Sequence, residues 1–516
     1  MQQFLYKGRN SGMAIEKPIN KLYPICYFVG IIVMSLGALQ LLPALISALY
    51  SEWRIFAVFV LTASITVLVG GGMALLGQQY KNAELSFGES TVVVSGAWFL
   101  GMLLCALPYY LSGNYLSYLD CCFDVMSGLT TTGLCLIQGM DHLPNGINMW
   151  RQLLTFVGGQ GMVVLALTFL TKDSSDAYKM YVGEAKDEKL FPNAVSTSRQ
   201  IWVISLIYLA VGTAVMTIAA LSAGLAPDRA FLHGMWTYMS AWSTGGFAPM
   251  SQNILYYHSA FFELATMVFF IIGSFNFALH HAVLSGRYNE LRRDIETMTF
   301  TITLTLLTLI TTLGLMKNNV YPNAVATFRK GFYQLISAHT TTGFMTIYAK
   351  QFYHEWGDIA LFAIIIAMLL GGSACSTAGG FKAMRVGIIF TAFKVEVKRM
   401  LLPESRISEQ KIHHIKDVVL TDSMIKSAFM IVSAYIVTFT FGTLIGMFAG
   451  FPFGMAAFEC ASVTGNVGLS IGVTSASMPA YLKLTYLIIM WLGRLEFMSV
   501  LILGTYIVRK VGKKCD

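Results

Sequence analysis

Charge is what this chain lacks most. Of its 516 residues only 12% are Asp, Glu, Lys or Arg, about half the ~25% usual in soluble globular domains. Apolar sequence fills the gap, with 55% hydrophobic residues and a mean hydropathy of +0.62. No soluble core absorbs that much, so the composition defines a polytopic membrane protein. Collagen is excluded by the absence of a glycine triplet, a coiled coil by the absence of charged heptads, and disorder by 13% aromatics. The eight cysteines show no paired CxxC spacing, which leaves no zinc-site pattern. Most lie in apolar stretches and read as small hydrophobes. The nine histidines lack ligand spacing as well. His280-His281 and His413-His414 are adjacent pairs, and His354-Glu355-Trp-Gly-Asp358 has an acid where a zincin needs its second histidine. Gly70-Gly71-Gly72 fails as a dinucleotide fingerprint, because Leu75 takes the third glycine's place. With no nucleophile–base pair and no metal cluster, an intramembrane enzyme is disfavoured.

Positive charge is present and unevenly placed. The formal net charge is +8, and Lys plus Arg number four in 1–21, one in 79–90, five in 172–200, three in 284–296, nine in 382–426 and four in 509–514, or 26 of 35. These are the presumed inner loops and ends, so the asymmetry is a positive-inside signature that puts both termini in the cytoplasm. It excludes a nucleic-acid partner as the reason for the charge. The basic N-terminus runs into an apolar segment too long for a signal peptide's core, so no cleavage is expected.

A spanning helix needs about 20 apolar residues. Ten segments qualify: 23–50, 54–78, 90–112, 149–171, 201–224, 259–283, 297–316, 356–392, 424–448 and 482–508. The first two form an antiparallel pair across Ser51-Glu52-Trp53-Arg54. The other eight form four pairs, each enclosing an apolar piece too short to span. Those pieces are repeats. They read Ser127-Gly-Leu-Thr130-Thr131-Thr132-Gly133-Leu134, Ser240-Ala-Trp-Ser243-Thr244-Gly245-Gly246-Phe247, Ser337-Ala-His-Thr340-Thr341-Thr342-Gly343-Phe344 and Ser462-Val-Thr-Gly465-Asn466-Val467-Gly468-Leu469. Serine stands six residues before each glycine, and an aromatic (Phe123, Trp236, Tyr333, Phe458) four before each serine. Successive repeat glycines are 113, 97 and 125 residues apart. A second echo, 25 to 28 residues after each repeat glycine, interrupts the following apolar run at Gly158-Gly159-Gln160, Gly273-Ser274, Gly371-Gly372-Ser373 and Gly493-Arg494.

Non-helical backbone survives at membrane depth only when buried in protein or lining water. Glycine permits conformations in which successive carbonyls point one way. Four such loops around an axis would offer rings of oxygens in place of a cation's hydration shell, with threonine hydroxyls able to add a ring below. Residues 371–380 are ten consecutive Gly, Ala, Ser, Thr or Cys, four of them Gly. Each Gly costs a helix about 1 kcal/mol relative to Ala, so this stretch is expected to unwind into a loop facing the aqueous path. Gly442-xxx-Gly446-xxx-Gly450 reads as a helix packing face. Arg494 sits mid-span, where it must face water, a partner or the pore. Pairing with a buried carboxylate such as Glu263 is the alternative. Asp120, Asp124 and Glu459 precede two of the loops and are read either as field-focusing carboxylates at a pore mouth or as capping and pairing groups.

Quadruplicated membrane–loop–membrane units with one glycine each resemble the Trk/Ktr/HKT superfamily of potassium transporters. Gly371-Gly372-Ser373-Ala374-Cys375-Ser376-Thr377-Ala378-Gly379-Gly380-Phe381-Lys382 resembles that family's intramembrane-loop signature, and Gly273-Ser-Phe-Asn276-Phe-Ala-Leu279-His280 and Gly493-Arg494-Leu495-Glu496 resemble parts of its second and fourth units. The likeness covers about residues 90–510, and the extra N-terminal pair is similar to that of bacterial TrkH-type subunits.

The resemblance implies an all-α fold of two N-terminal helices plus four pseudo-symmetric membrane–pore-loop–membrane units around a central pore. Its divisions are 1–88, pore units 89–185, 186–290, 291–415 and 416–516. It implies a potassium-binding selectivity filter from Thr130, Thr131, Thr132 and Gly133; Ser243, Thr244, Gly245 and Gly246; Thr340, Thr341, Thr342 and Gly343; and Gly465, Asn466, Val467 and Gly468. It implies a gate from Gly371, Gly372, Ser373, Ser376, Thr377, Gly379 and Gly380, with Arg494 beside the cation path. In plant relatives a Ser in place of the first filter glycine accompanies sodium selectivity, so Gly133 favours potassium; the fourth loop, with Gly465-Asn466-Val467, departs from the other three. The implied activity is K+ uptake across a bacterial cytoplasmic membrane, with sodium or mixed-cation transport the alternative. K+ is cargo, and no cofactor is expected on this chain. The implied partners are a second copy of the chain and a cytosolic nucleotide-binding ring of the TrkA type.

Overall fold

The computed structural model describes residues 22–81, 83–168, 175–185, 193–401 and 410–512. The basic segment 1–21, parts of 172–200 and 382–426, and Lys513, Lys514 and Cys515 lie outside the described residues. Among those described, six helices are long and apolar enough to cross a membrane: Leu22–Leu49, Trp53–Tyr80, Phe87–Ser112, Ala194–Ser222, Ile295–Lys317 and Asp422–Phe448. The first two pack along one another after a tight turn at Ser51. Each of the last four leads into a short buried helix: Tyr118–Leu129, Pro227–Trp242, Ala324–His339 and Phe453–Thr464. Ser117 and Asn323 cap two of these, accepting from the N–H groups of Asp120 (3.2 Å) and Ala326 (2.8 Å). Pro227 starts the second in the first turn, where its missing N–H costs nothing.

Four expected spans are not continuous helices. The 149–171 segment is Asn145–Gln160 and Met162–Thr168, broken at Gly161 with φ +107°. Ala260–Gly273 and Phe277–Leu284 bend by 101°, and Ala480–Arg494 and Met498–Val508 by 114°. The 356–392 segment is Gly357–Leu370 and Ala383–Met400, with the small-residue stretch unwound between them. The breaks follow the echo glycines because the preceding helices approach the loops there: a Cβ on Gly158, Gly273 or Gly493 would collide with the carbonyl oxygen of Leu129, Trp242 or Thr464. Each of those residues stands four before a repeat glycine. Gly442 and Gly446 are a packing face, close against Cys460 and Ala456, while Gly450 ends the helix with φ +93°.

One feature departs from an all-α expectation. Lys411–His414 and Lys416–Val419 form an antiparallel hairpin, too short to register in the apolar pattern. Its histidines tie it to the start of Ile295–Lys317. His414 Nδ1 is 2.9 Å from Asp294 Oδ2, which also accepts the Ile415 N–H, and His413 lies between Glu290 (2.8 Å) and Asp417 (2.7 Å). Asp294 caps the helix through the N–H groups of Glu296 and Thr297.

Hydrogen bonds donated to the Asp417 and then the Glu290 carboxylate raise the His413 pKa above its ordinary value, and the Asp417 contact lowers that of Asp417. A raised histidine pKa gives stability that is full below about pH 6.5 and lost as pH climbs through the raised value; a lowered aspartate pKa gives stability lost only on acidification below about pH 4. Hairpin amides, corrected for intrinsic rates, should therefore be better protected from hydrogen exchange at about pH 6 than at about pH 8.5. His413→Gln should abolish the difference, and equal protection at both pH values in the parent protein would refute the clamp.

Candidate functional site

The four repeat loops follow one backbone recipe. The carbonyl of the repeat serine accepts the N–H of the residue just before the glycine: Ser127 from Thr132 (2.8 Å), Ser240 from Gly245 (2.9 Å), Ser337 from Thr342 (2.8 Å) and Ser462 from Val467 (2.8 Å). The chain then alternates in handedness. Thr131, Thr244, Thr341 and Asn466 have φ of +57°, +49°, +54° and +54°, and the glycines two residues on have φ of +88°, +67°, +83° and +94°. A β-branched residue at positive φ is a true outlier, of a kind that costs about 1–3 kcal/mol and persists only where surrounding structure over-determines it. Three threonines in one register meet that description. The sequence carries one sign of it: two residues before each glycine stands Thr or Asn, and Asn tolerates this conformation.

The loops close on each other in chain order. A Cβ on Gly133 would strike the Gly245 carbonyl, one on Gly246 that of Thr342, one on Gly343 that of Val467, and one on Gly468 that of Thr132. Backbone thus meets backbone around a complete ring, with no side chain between. The first hydroxyl of each of three loops turns back into its short helix: Thr130, Ser243 and Thr340 donate to Met126, Met239 and Ile336 carbonyls at 2.7 Å. Thr132 and Thr342 pair with Thr130 and Thr340 at 2.8 Å. Asn466 fills the fourth loop's place by donating to Thr132 Oγ1 (3.1 Å) and the Met490 carbonyl (2.9 Å).

Buried side chains brace the outgoing chain. Asp124 accepts the Leu136 N–H (2.7 Å), Gln334 donates to Thr346 Oγ1 (2.9 Å) and Glu459 accepts the Ile471 N–H (3.0 Å). All three stand nine residues before a repeat glycine and reach three residues past it. Arg151 does the same for the second loop by donating to the Ala248 carbonyl (3.1 Å) from over the Phe247 ring. Asp120 pairs with Lys483 at 2.6 Å. The three carboxylates therefore act as pairing and bracing groups. Gln334, Arg151 and Lys483 escaped sequence reading because nothing local marks their partners.

The unwound stretch lies directly against the second, third and fourth loops and is joined to the first through Arg494. Gly371 and Gly380, both at φ +75°, bring its ends together, so it is a compact Ω-loop with a closed base. Thr377 Oγ1 is 3.1 Å from Thr244 Oγ1 and donates to the Gly273 carbonyl (2.8 Å). The Gly379 N–H donates to Thr341 Oγ1 (2.8 Å), and a Cβ on Gly379 would collide with the Gly465 carbonyl. Arg494 donates to the Thr377 carbonyl (2.7 Å), to Thr131 Oγ1 (3.2 Å) and to the carbonyls of Gly158 and Gly159. Ser373 and Ser376 sit inside the loop, Ser376 Oγ donating to the Ser373 carbonyl (2.6 Å), and the Gly372 carbonyl accepts the Ala383 N–H (2.8 Å). Glu263 is not the partner of Arg494: it holds Arg329 through two bonds of 2.7 and 2.9 Å. Glu496 pairs instead with Arg385.

Helices that carry buried, non-helical loops closed into a ring of carbonyls define a membrane transport protein rather than an enzyme. The profile of the TrkH family, described as "Cation transport protein", matches residues 55–508, and the chain belongs to that family. It is 30% identical over 494 residues to the "Trk system potassium uptake protein TrkH" of Halomonas elongata, covering 93% of this chain and 98% of that one. It is 29% identical to the Escherichia coli protein of the same name, over 93% and 98% of the two chains, and 29% identical to an "Uncharacterized cation transporter" of Methanocaldococcus jannaschii, over 93% and 94%. The crystal structure of the "Potassium Transporter TrkH from Vibrio parahaemolyticus" superposes with a TM-score of 0.78 at 26% identity, covering 93% of this chain and 98% of that one.

Lys483→Met should leave Asp120 buried without its cation, a loss of about 3–5 kcal/mol, read as a lowered melting temperature in detergent. Adding Asp120→Asn should recover most of it. A double variant no more stable than the single one would show that the pair is not what Lys483 contributes.

Proposed function

We propose that this chain takes up K+ across the cytoplasmic membrane, with Thr130–Gly133, Ser243–Gly246, Thr340–Gly343 and Gly465–Gly468 forming a selectivity filter on the axis of four units. The carrying observation is the ring of glycine-to-carbonyl approaches, which presents backbone oxygen and excludes side chains, as replacement of a cation's hydration shell requires. The membrane potential would drive uptake at about 2.3 kcal/mol per charge per 100 mV. Relatives named as potassium uptake proteins support K+ as the cargo. The divisions follow the repeats: 1–88 as an added helix pair, then units over 89–185, 186–290, 291–415 and 416–516.

The intramembrane loop 371–380 is the gate, closed beneath the filter, and Arg494 holds it there while keeping a positive charge by the path. We further infer a homodimer with one pore per protomer, cytoplasmic termini, and control by a separate cytosolic nucleotide-binding ring.

Reversal potentials or tracer uptake in liposomes, with K+ and Na+ compared, test this reading. Gly133→Ser should lower the K+ preference by a factor of about 10, equivalent to ~1.4 kcal/mol, because a side chain there displaces the Gly245 carbonyl. Unchanged preference with retained conduction would count against the filter register, and equal K+ and Na+ flux in the parent protein against potassium itself. Deleting Ser373–Ala378, whose flanking glycines already touch, should raise uptake several-fold without loss of expression. Lower uptake from well-folded protein would make the loop a scaffold.

A further inference from the structure

In three of the loops the strained position is also where the intramembrane loop is tied, directly or through Arg494. Three of the four left-handed residues are threonines; the hydroxyls of Thr244 and Thr341 touch that loop directly, and that of Thr131 is joined to it through Arg494. Thr341 Oγ1 accepts the Gly379 N–H (2.8 Å), Thr244 Oγ1 meets Thr377 Oγ1 (3.1 Å), and Thr131 Oγ1 accepts Arg494 Nη1 (3.2 Å), which also donates to the Thr377 carbonyl (2.7 Å). The hydroxyls one residue earlier, on Thr130, Ser243 and Thr340, point back into their own helices. In these three loops that one register alone bonds the intramembrane loop or Arg494 through a side chain. In the fourth loop Asn466 spends its amide on Thr132 and Met490, and Gly379 packs there on the Gly465 carbonyl and the Asn466 Cβ.

We propose that Thr131, Thr244 and Thr341 are positioning residues that latch the intramembrane loop shut, Thr131 through Arg494, so that the filter backbone itself holds the gate. This rests on the reading of 371–380 as a gate. It assigns these hydroxyls a role separate from cation coordination, since their bonds go to the loop or to Arg494, and leaves coordination to the backbone carbonyls. Release of the loop then frees three threonines in the filter, and a shift in the filter weakens the latch.

Thr341 gives the cleanest test, since Thr131 and Thr244 also bond the carbonyls of Thr130 and Ser243. In proteoliposomes of the full chain, Thr341→Val should raise tracer K+ flux about two- to tenfold, the change expected from one net hydrogen bond, at an unchanged K+/Na+ ratio. Thr341→Ser, which retains the accepting hydroxyl, should show a markedly smaller rise than Thr341→Val. In the Ser373–Ala378 deletion, Thr341→Val should add nothing. An equal fold-change with and without the loop, or an altered K+/Na+ ratio in both, would make Thr341 an ion ligand and overturn the latch. If Thr341→Val fails to reach the membrane, Thr377→Val addresses the latch from the other side, and unchanged flux there overturns it. A deletion that leaves flux unchanged overturns the gate reading and the latch with it; raised flux on deletion with no effect of Thr341→Val overturns the latch alone.

Discussion

Four glycines packed on four carbonyls hold the centre of this molecule in shape. At each, the backbone of one loop lies where a Cβ would otherwise be, and the contacts run from first loop to second, third, fourth and back to first. The short helices, their buried aromatics and the bracing side chains all serve to deliver backbone to that ring. A second tier of glycines, Gly158, Gly273 and Gly493, allows the following helices to lie against the carbonyls at the ends of the short helices. Without both tiers the loops would be pushed apart by side chains and left unpaired in an apolar medium.

Breaking helices within a membrane exposes polar backbone, each unsatisfied group costing roughly 2–7 kcal/mol. The sparse polar residues of the spans are placed at those breaks. Arg494 caps the carbonyls of Gly158 and Gly159, Thr377 that of Gly273, His280 that of Ile272 (3.0 Å) and Tyr435 that of Gly493 (2.8 Å). Carboxylates serve the freed N–H groups: Glu184 accepts from Val163 and Val164, and Glu296 from Ala374 (2.6 Å). Arg494 thus has a structural task in the first unit, and among the described residues backbone carbonyls and the Thr131 hydroxyl, rather than an ion-paired carboxylate, take its hydrogen bonds.

What the sequence made legible was periodic. The apolar runs, the Ser-to-Gly spacing and the echo glycines locate the short helices, the loops and the points where the following helices break. What it concealed falls into two kinds. Long-range partners carry no local mark: Asp120 and Lys483 are 363 residues apart, and the Glu263–Arg329 pair left Arg494 to other contacts. Backbone handedness is hidden as well, since Thr-Thr-Thr looks uniform although its three hydroxyls go to three different places. The 411–419 hairpin escaped because strands of four residues fall below any useful periodicity.

The ring is built from one chain, and this sets how it can vary. In a ring of four identical subunits, any substitution is made four times over. Here a change at Gly133 or Thr244 alters one quarter, leaving three walls to hold the geometry. Asn466-Val467 in the fourth loop is such a change already in place, tolerated because its amide bridges to Thr132. Covalent linkage of the quarters therefore permits small, independent adjustments of the ring, where a symmetric assembly could make only large ones.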